Sequence, residues 1–163
     1  MREPVKNEKS VVVDAAGDIY RRGMACLAGD GVPRDAATAL KHLRQAAGHG
    51  HAGAHHELGQ MLRFGEGTFA DIDGAVIQYF AAAKGGSVDA MVVLGSLFES
   101  GDCLPQSLVF AHAFFGMAFA SGVDDQSVSL AELEAVMKPE EIARAVDSRK
   151  SLTGAFGNGP AAS

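Results

Sequence analysis

Glycines and alanines recur at a fixed spacing of 36 residues through the middle of the sequence. Five series keep this spacing: Gly23, Gly59 and Gly95; Gly29, Gly65 and Gly101; Gly50, Gly86 and Gly122; Ala39, Ala75 and Ala111; and Ala46, Ala82 and Ala118. A fixed period of about 20–50 residues is typical of proteins built from stacked copies of one structural unit. The spacing therefore predicts three repeats, at about residues 15–50, 51–86 and 87–122.

Each repeat contains two amphipathic helical patterns. In the middle copy, apolar residues at helical spacing predict a first helix over 52–64 and a second over about 72–84. We call these the A helix and the B helix. Candidate N-caps precede the B helices at Asp35, Asp71 and Ser107. Short helices joined by tight turns form hairpins that bury their faces on neighbouring hairpins, so we predict an all-α, right-handed α-solenoid.

One glycine series falls inside the predicted A helices, at positions 23, 59 and 95. A glycine in a helix interior costs about 1 kcal/mol relative to alanine, so three such glycines call for compensation. Close approach of the paired B helix is the expected compensation. We expect the approaching residues to be the small side chains of the B helices, namely Ala39, Ala75 and Ala111.

The repeat resembles the Sel1-like repeat, a member of the tetratricopeptide-like α-solenoids. The resemblance rests on GDGVPRD at 29–35, LG at 58–59, AAKGG at 82–86, LG at 94–95 and FF at 114–115. It covers about residues 15–122 and implies a solenoid that recognises other proteins. His42 and Gln78 replace the usual tryptophan, and Cys103 replaces the second loop glycine. We therefore expect looser or rearranged packing at these positions.

The C-terminal part resembles the closing helices of some bacterial Sel1-like chains. The stretches LAELEAVM at 130–137 and PEEIARA at 139–145 carry this likeness and predict a helical cap over 129–152. We predict a single solenoid domain over 14–153. A flexible segment is expected at 1–13 and a disordered tail, rich in small residues, at 154–163.

Charge and hydropathy disfavour several classes of function. The net charge is −6 and no cluster of lysine and arginine interrupts it, so neither nucleic acid nor an anionic membrane surface is an expected partner. The most apolar stretch, 109–123, contains His112 and is shorter than the roughly 20 residues that span a bilayer. The apolar run at 11–13 is too short for the core of a signal peptide. The two cysteines are too few for a set of disulfides and fit a reducing compartment. We expect a cytoplasmic protein.

The stretch GHGHAGAHH at 48–56 holds four of the six histidines and raises the question of a metal site. By the repeat spacing it is the joint between the first two repeats, and His51 is a helix-start position equivalent to Ser87. His55 and His56 are adjacent on a helix, about 100° apart, and do not form an i, i+4 ligand pair. We predict no cofactor and no functional metal, and a metal-binding role for the His49–His56 cluster stays a less favoured alternative.

Catalytic motifs are missing from the sequence. It contains no phosphate-binding G-x-x-x-x-G-K, no G-x-S-x-G nucleophile elbow and no complete H-E-x-x-H zinc motif. We predict that the chain is not an enzyme.

The predicted binding surface is a concave groove lined by the A helices. Side chains spaced i, i+4 and i+7 along one stripe of these helices are Tyr20, Met24, Leu27, His56, Gln60, Arg63, Val92, Ser96 and Glu99. The apolar members of the first repeat beside Arg63 suit a protein or peptide segment that carries one acidic group. Packing between repeats is an equally open role for each of these residues. We expect an adaptor or regulatory scaffold that is a monomer or a weak homo-oligomer.

Self-association is the second predicted class of function. In it the chain is a regulatory homo-oligomer or a subunit of a larger complex, and three phenylalanines near the last repeat form the contact: Phe110, Phe114 and Phe119. A core position is the favoured expectation for these residues.

Overall fold

The computed structural model describes residues 8–122 and 130–157, without the side chains of residues 8–14. In this part the chain forms eight helices and no strand: α1 Glu8–Ala28, α2 Ala36–Gly48, α3 Ala52–Phe64, α4 Ile72–Lys84, α5 Val88–Ser100, α6 Leu108–Ala120, α7 Leu130–Val136 and α8 Pro139–Phe156. The all-α prediction is confirmed. The A and B helices predicted for the middle copy coincide with α3 and α4.

The chain divides into two compact units, 1–75 and 76–163, and the boundary falls inside α4. In unit 1, α2 packs on both α1 and α3. In unit 2, α6 packs on α5 and also on the two C-terminal helices, α7 and α8.

Side-chain caps fix the starts of the B helices. The Asp35 carboxylate accepts hydrogen bonds from the backbone N–H of Thr38 at 3.1 Å and from its hydroxyl at 2.6 Å. Asp71 accepts from the N–H of Gly74 at 2.9 Å, and the Ser107 hydroxyl accepts from the N–H of Phe110 at 3.4 Å. Each bond satisfies one of the N–H groups that a helix N-terminus leaves without an intrahelical partner. All three predicted caps are confirmed.

The core of unit 1 is built from leucine, methionine and alanine. Its buried residues come from α2 and α3: Ala39, Leu40, Leu43, Ala46, Ala47, Ala54, Leu58 and Met61. A Cβ added at Gly23 of α1 would lie 3.0 Å from Cγ and 3.1 Å from Cδ2 of Leu43. The predicted close approach at this glycine is therefore real. The expected partner was wrong, because Leu43, one turn beyond Ala39, fills the space above Gly23.

Unit 2 repeats this arrangement with an aromatic residue. A Cβ added at Gly95 of α5 would lie within 3.0 Å of three ring atoms of Phe115, so only glycine fits beneath that ring. Phe115 stands 72 residues after Leu43, at the equivalent place in the third repeat. Phe115, and not the expected Ala111, is therefore the residue that approaches Gly95. Next to this contact, Phe114 stacks on Phe98 with ring centroids 5.8 Å apart.

The C-terminal helices close unit 2. Leu133 and Met137, together with Ala145 of α8, pack in one buried cluster with Ala111 and Phe115 of α6. The predicted helical cap is therefore present.

The helices extend beyond the predicted ends of the domain. α8 continues to Phe156, whose ring lies 6.5 Å from that of Phe114, and this packing holds 154–156 in the helix rather than in a disordered tail. The described part of α1 starts at Glu8, so residues 8–13 of the segment that was expected to be flexible are helical. The rest of the predicted flexible segment, 1–7, and of the predicted tail, 158–163, lies outside the described residues.

Cys103 keeps the loop backbone that its glycine counterparts adopt. Gly31 and Gly67 have φ angles of 70° and 72°, and Cys103 has φ of 72°. This left-handed region is unfavourable for a residue with a Cβ. The backbone at Cys103 is therefore not rearranged as expected. It keeps the left-handed conformation of the glycines, and this conformation is strained for cysteine.

Within the part of the chain that the structure describes, no helix combines the length and apolar character needed to cross a lipid bilayer.

Candidate functional site

The histidine-rich joint begins a helix, as the repeat spacing predicts. His51 is the N-cap of α3, where its Nδ1 accepts a hydrogen bond from the N–H of Ala54 at 3.1 Å. At the next joint the Ser87 hydroxyl accepts from the N–H of Ala90 at 3.3 Å and caps α5. An imidazole and a hydroxyl thus perform the same task at equivalent positions. The helix-start interpretation of His51 is confirmed.

The same imidazole is stacked on the ring of Tyr20. The ring centroids lie 4.3 Å apart with an interplanar angle of 20°. Burial lowers the pKa of His51 below its ordinary value of 6.5, and the charge of His55 lowers it further. His51 is therefore neutral near pH 7, which leaves Nδ1 free to accept the capping hydrogen bond.

The histidine-rich joint also contains side chains that could ligate a metal ion. Among the described residues, no three histidine, cysteine, aspartate or glutamate side chains come close enough together to hold a metal ion. His51 already uses one ring nitrogen for the helix cap.

Six predicted groove residues lie on α1 and α3 of unit 1, and we call them the α1–α3 face: Tyr20, Met24, Leu27, His56, Gln60 and Arg63. The three from α1 are partly buried and pack against the core of unit 1. The three from α3 are half-buried polar side chains. The structure thus places an apolar row on α1 and a polar row on α3.

The polar row ends beside an exposed aromatic ring. The guanidinium carbon of Arg63 lies 5.4 Å from the ring centroid of Phe64, within the range of a cation–π contact. The Phe64 residue is 70% exposed, and Phe69 in the following loop is 94% exposed. A cation next to solvent-exposed aromatic surface suits a partner that brings an acidic group and an apolar side chain.

The other three predicted groove residues lie on α5 of unit 2. Val92 packs against the core cluster of that unit, whereas Ser96 and Glu99 are exposed. The backbone carbonyl of Glu99 accepts a hydrogen bond from the Gln106 side chain at 2.9 Å. Of these three, Ser96 and Glu99 are the ones available to a partner.

Two features of unit 1 were not predicted from the sequence. Arg34 forms an ion pair with Glu66 of the next repeat, and its Nε donates to the carbonyl of Leu27 at 3.0 Å. The repeat spacing aligns Arg34 with Gln106, whose side chain donates the equivalent hydrogen bond to the carbonyl of Glu99 in the third repeat. The exposure of Phe69 was also missed, although the residue stands where the other two repeats have proline.

The three phenylalanines considered for self-association have different environments. Phe114 is 1% exposed and belongs to the core, as expected. Phe110 and Phe119 are 41% and 58% exposed, so the expectation of a core position is wrong for both. Phe119 is five residues after Phe114 and points to another side of α6. Phe110, four residues before Phe114, lies on the same side and contacts Phe98, with ring centroids 5.2 Å apart.

Comparison with known proteins identifies the repeat. The sequence model of the Sel1 repeat matches residues 19–51, 52–87 and 88–123. No curated protein sequence matches the chain.

Several solved structures are similar to this fold, and two of them illustrate the match. One is c5321, a protective antigen of uropathogenic Escherichia coli with an SLR fold: identity is 28%, the TM-score is 0.63, and the match covers 66% of this chain and 23% of that one. The other is a Sel1 repeat protein from Oxalobacter formigenes, with 22% identity and a TM-score of 0.66 over 83% of this chain and 58% of that one. This chain therefore matches less than two thirds of the length of either neighbour.

Proposed function

Because this chain belongs to the Sel1 repeat family, whose members are typically protein–protein interaction scaffolds, we propose that it is a non-enzymatic adaptor that binds a protein or peptide. The proposed binding surface is the α1–α3 face of unit 1. The proposed compartment is a bacterial cytoplasm.

One observation carries the choice of this surface: the Arg63 guanidinium lies 5.4 Å from the ring centroid of Phe64, which is 70% exposed. Arginine and aromatic residues are the types that most often dominate the energy of protein interfaces. The guanidinium can take a partner carboxylate through two parallel hydrogen bonds while apolar partner atoms cover the ring.

The α1 row supports the same surface in a different way. Tyr20, Met24 and Leu27 are held against the core of unit 1, so their positions are set before any partner arrives. A preorganised receptor loses little conformational entropy on binding. Recognition by a rigid row of side chains is therefore the proposed mechanism.

The test is an affinity capture from native cells with the tagged full chain. Arg63→Glu reverses the charge beside Phe64, and we expect it to lose partners that the wild type retains. Arg44→Glu is the matched control, because Arg44 is an exposed arginine on α2, outside the α1–α3 face. Tyr20→Ala is a poorer test, since Tyr20 also supports the His51 cap.

Circular dichroism and a urea unfolding midpoint establish that each variant is folded. The proposal fails if Arg63→Glu captures the same partners, in the same amounts, as wild type and Arg44→Glu.

The alternative function, a regulatory homo-oligomer, gains support from the exposure of Phe110 and Phe119 in unit 2. Light scattering coupled to size-exclusion chromatography distinguishes it from the adaptor. A monomer at micromolar concentration counts against self-assembly. A dimer that Phe110→Ser or Phe119→Ser dissociates would favour it over the adaptor.

A further inference from the structure

Unit 2 contains a cavity of about 960 Å³ that is separate from the α1–α3 face. It lies between the C-terminal ends of α4 and α6, the start of α5 and the last turns of α8. Apolar side chains line it, among them Met91, Met117, Phe119 and Phe156. Its volume is in the range of sites that hold small molecules, about 300–1,000 Å³.

The charged side chains on its walls all carry the same sign. Among the described residues that line the cavity, these are Lys84, Arg149 and Lys150, and none is acidic. The chain as a whole has a net charge of −6, so this local excess of cations runs against the overall balance. Lys150 also lies 3.4 Å from Asp147 on the outer side of α8. A cationic rim over an apolar floor favours an anion with an apolar part.

Arg149 packs against a glycine on the neighbouring helix α6. A Cβ added at Gly116 of α6 would lie 2.7 Å from Nη1 and 3.0 Å from Cδ of Arg149. The arginine side chain therefore lies against the α6 backbone at the edge of the apolar floor. A guanidinium held in this way can bind a carboxylate through two parallel hydrogen bonds, which a single ammonium group does not match.

We propose that this cavity is a binding site for a small amphipathic carboxylate. The carboxylate pairs with Arg149, with Lys84 and Lys150 adding attraction at the rim. The apolar part of the ligand covers Met117 and Phe119, and the flexible, polarisable side chains of Met91 and Met117 adapt to its shape. This site does not depend on the proposed adaptor function.

The test is isothermal titration of the full chain at neutral pH with decanoate below its micelle concentration. Decanol and acetate are the matched probes, since the first lacks the charge and the second lacks the apolar part. We expect saturable binding of decanoate, at least about tenfold tighter than that of either comparison compound, because a hydrogen bond to a charged group is worth about this factor.

Two variants locate the site. Arg149→Met keeps an apolar side chain over Gly116 and should weaken decanoate binding about tenfold or more. Lys84→Met, at the exposed end of α4, should weaken it less. Arg144→Met is the control on the same helix, because Arg144 does not line this cavity. The Arg144→Met protein should bind decanoate with the same affinity as the wild type.

Three outcomes overturn the proposal. The first is equal affinity for decanoate and decanol, which indicates non-specific apolar binding. The second is unchanged decanoate affinity in Arg149→Met. The third is no decanoate binding, with Arg149-dependent binding of a peptide that bears acidic and apolar residues, which assigns the cavity to a protein partner instead.

Discussion

The ring of Tyr20 stacks on the imidazole of His51, with 4.3 Å between ring centroids. Tyr20 lies on the A helix of the first repeat, and His51 caps the A helix of the second. The most prominent aromatic residue of the α1–α3 face is thus also part of the joint between two repeats. Packing at this joint and presentation of the binding surface depend on the same pair.

The cap at His51 contributes to stability through its neutral imidazole. His51→Ala removes the acceptor for the Ala54 N–H and should lower the free energy of unfolding by about 1 kcal/mol. His51→Ser restores a hydroxyl cap like that of Ser87 and should recover most of this loss of capping energy. Urea unfolding near neutral pH measures both. A loss in His51→Ser equal to that in His51→Ala would contradict the capping role.

The same residue should make stability depend on pH. The pKa of His51 is lower in the folded state than its ordinary value of 6.5, so the unfolded chain binds more protons in this range. The stabilisation is complete above pH 6.5 and is lost as the pH falls through the folded-state pKa. We expect the urea midpoint of the wild type to fall more steeply on acidification than that of His51→Ser. If the urea midpoints of the two proteins fall equally on acidification, His51 does not contribute to the pH dependence of stability.

Much of this fold is predictable from the sequence because its signals are local. Asp35, Ser107 and His51 act on N–H groups three residues away, so a cap and its partner are found in one short stretch. The partners of Gly23 and Gly95 were not predictable in this way. The period marks where space is needed, but side-chain shape decides that Leu43 and Phe115 fill it.

The candidate sites were predicted less completely for a related reason. The spacing places Arg63 on the correct helix, yet exposure of the neighbouring Phe64 depends on tertiary packing. The cavity of unit 2 brings α8 against α6, and Arg149 is 33 residues from Gly116 in the chain. No periodic pattern in the sequence connects these two residues.

The left-handed backbone at Cys103 predicts a stabilising substitution. Cys103→Gly should raise the free energy of unfolding by about 0.5–1 kcal/mol. A residue with a Cβ in the left-handed region costs about 1–2 kcal/mol, and the larger entropy that glycine loses on folding cancels part of the gain from removing this strain. Cys103→Ser is the control, because it removes the thiol and keeps the Cβ. Chemical unfolding of the three proteins checks this, and a Cys103→Gly protein no more stable than Cys103→Ser would refute it.

Two helix glycines should respond in opposite directions to alanine. Gly95→Ala places a Cβ within 3.0 Å of the Phe115 ring and should destabilise the protein by about 1–3 kcal/mol despite the better helix propensity of alanine. Gly17→Ala meets no described atom within 4 Å and should stabilise α1 by about 0.5–1 kcal/mol. Thermal unfolding compares them. Restoration of stability in Gly95→Ala/Phe115→Leu identifies the ring as the cause, and its failure would argue against this contact.

The adaptor function is tested most directly by the affinity of a captured partner, purified, for three forms of the chain. Wild type and Arg44→Glu should bind it with the same dissociation constant within about twofold. Arg63→Glu should bind at least about tenfold more weakly, because the partner loses a charge-assisted pair and meets a like charge. Equal affinity of all three folded proteins for the partner would contradict recognition through the α1–α3 face.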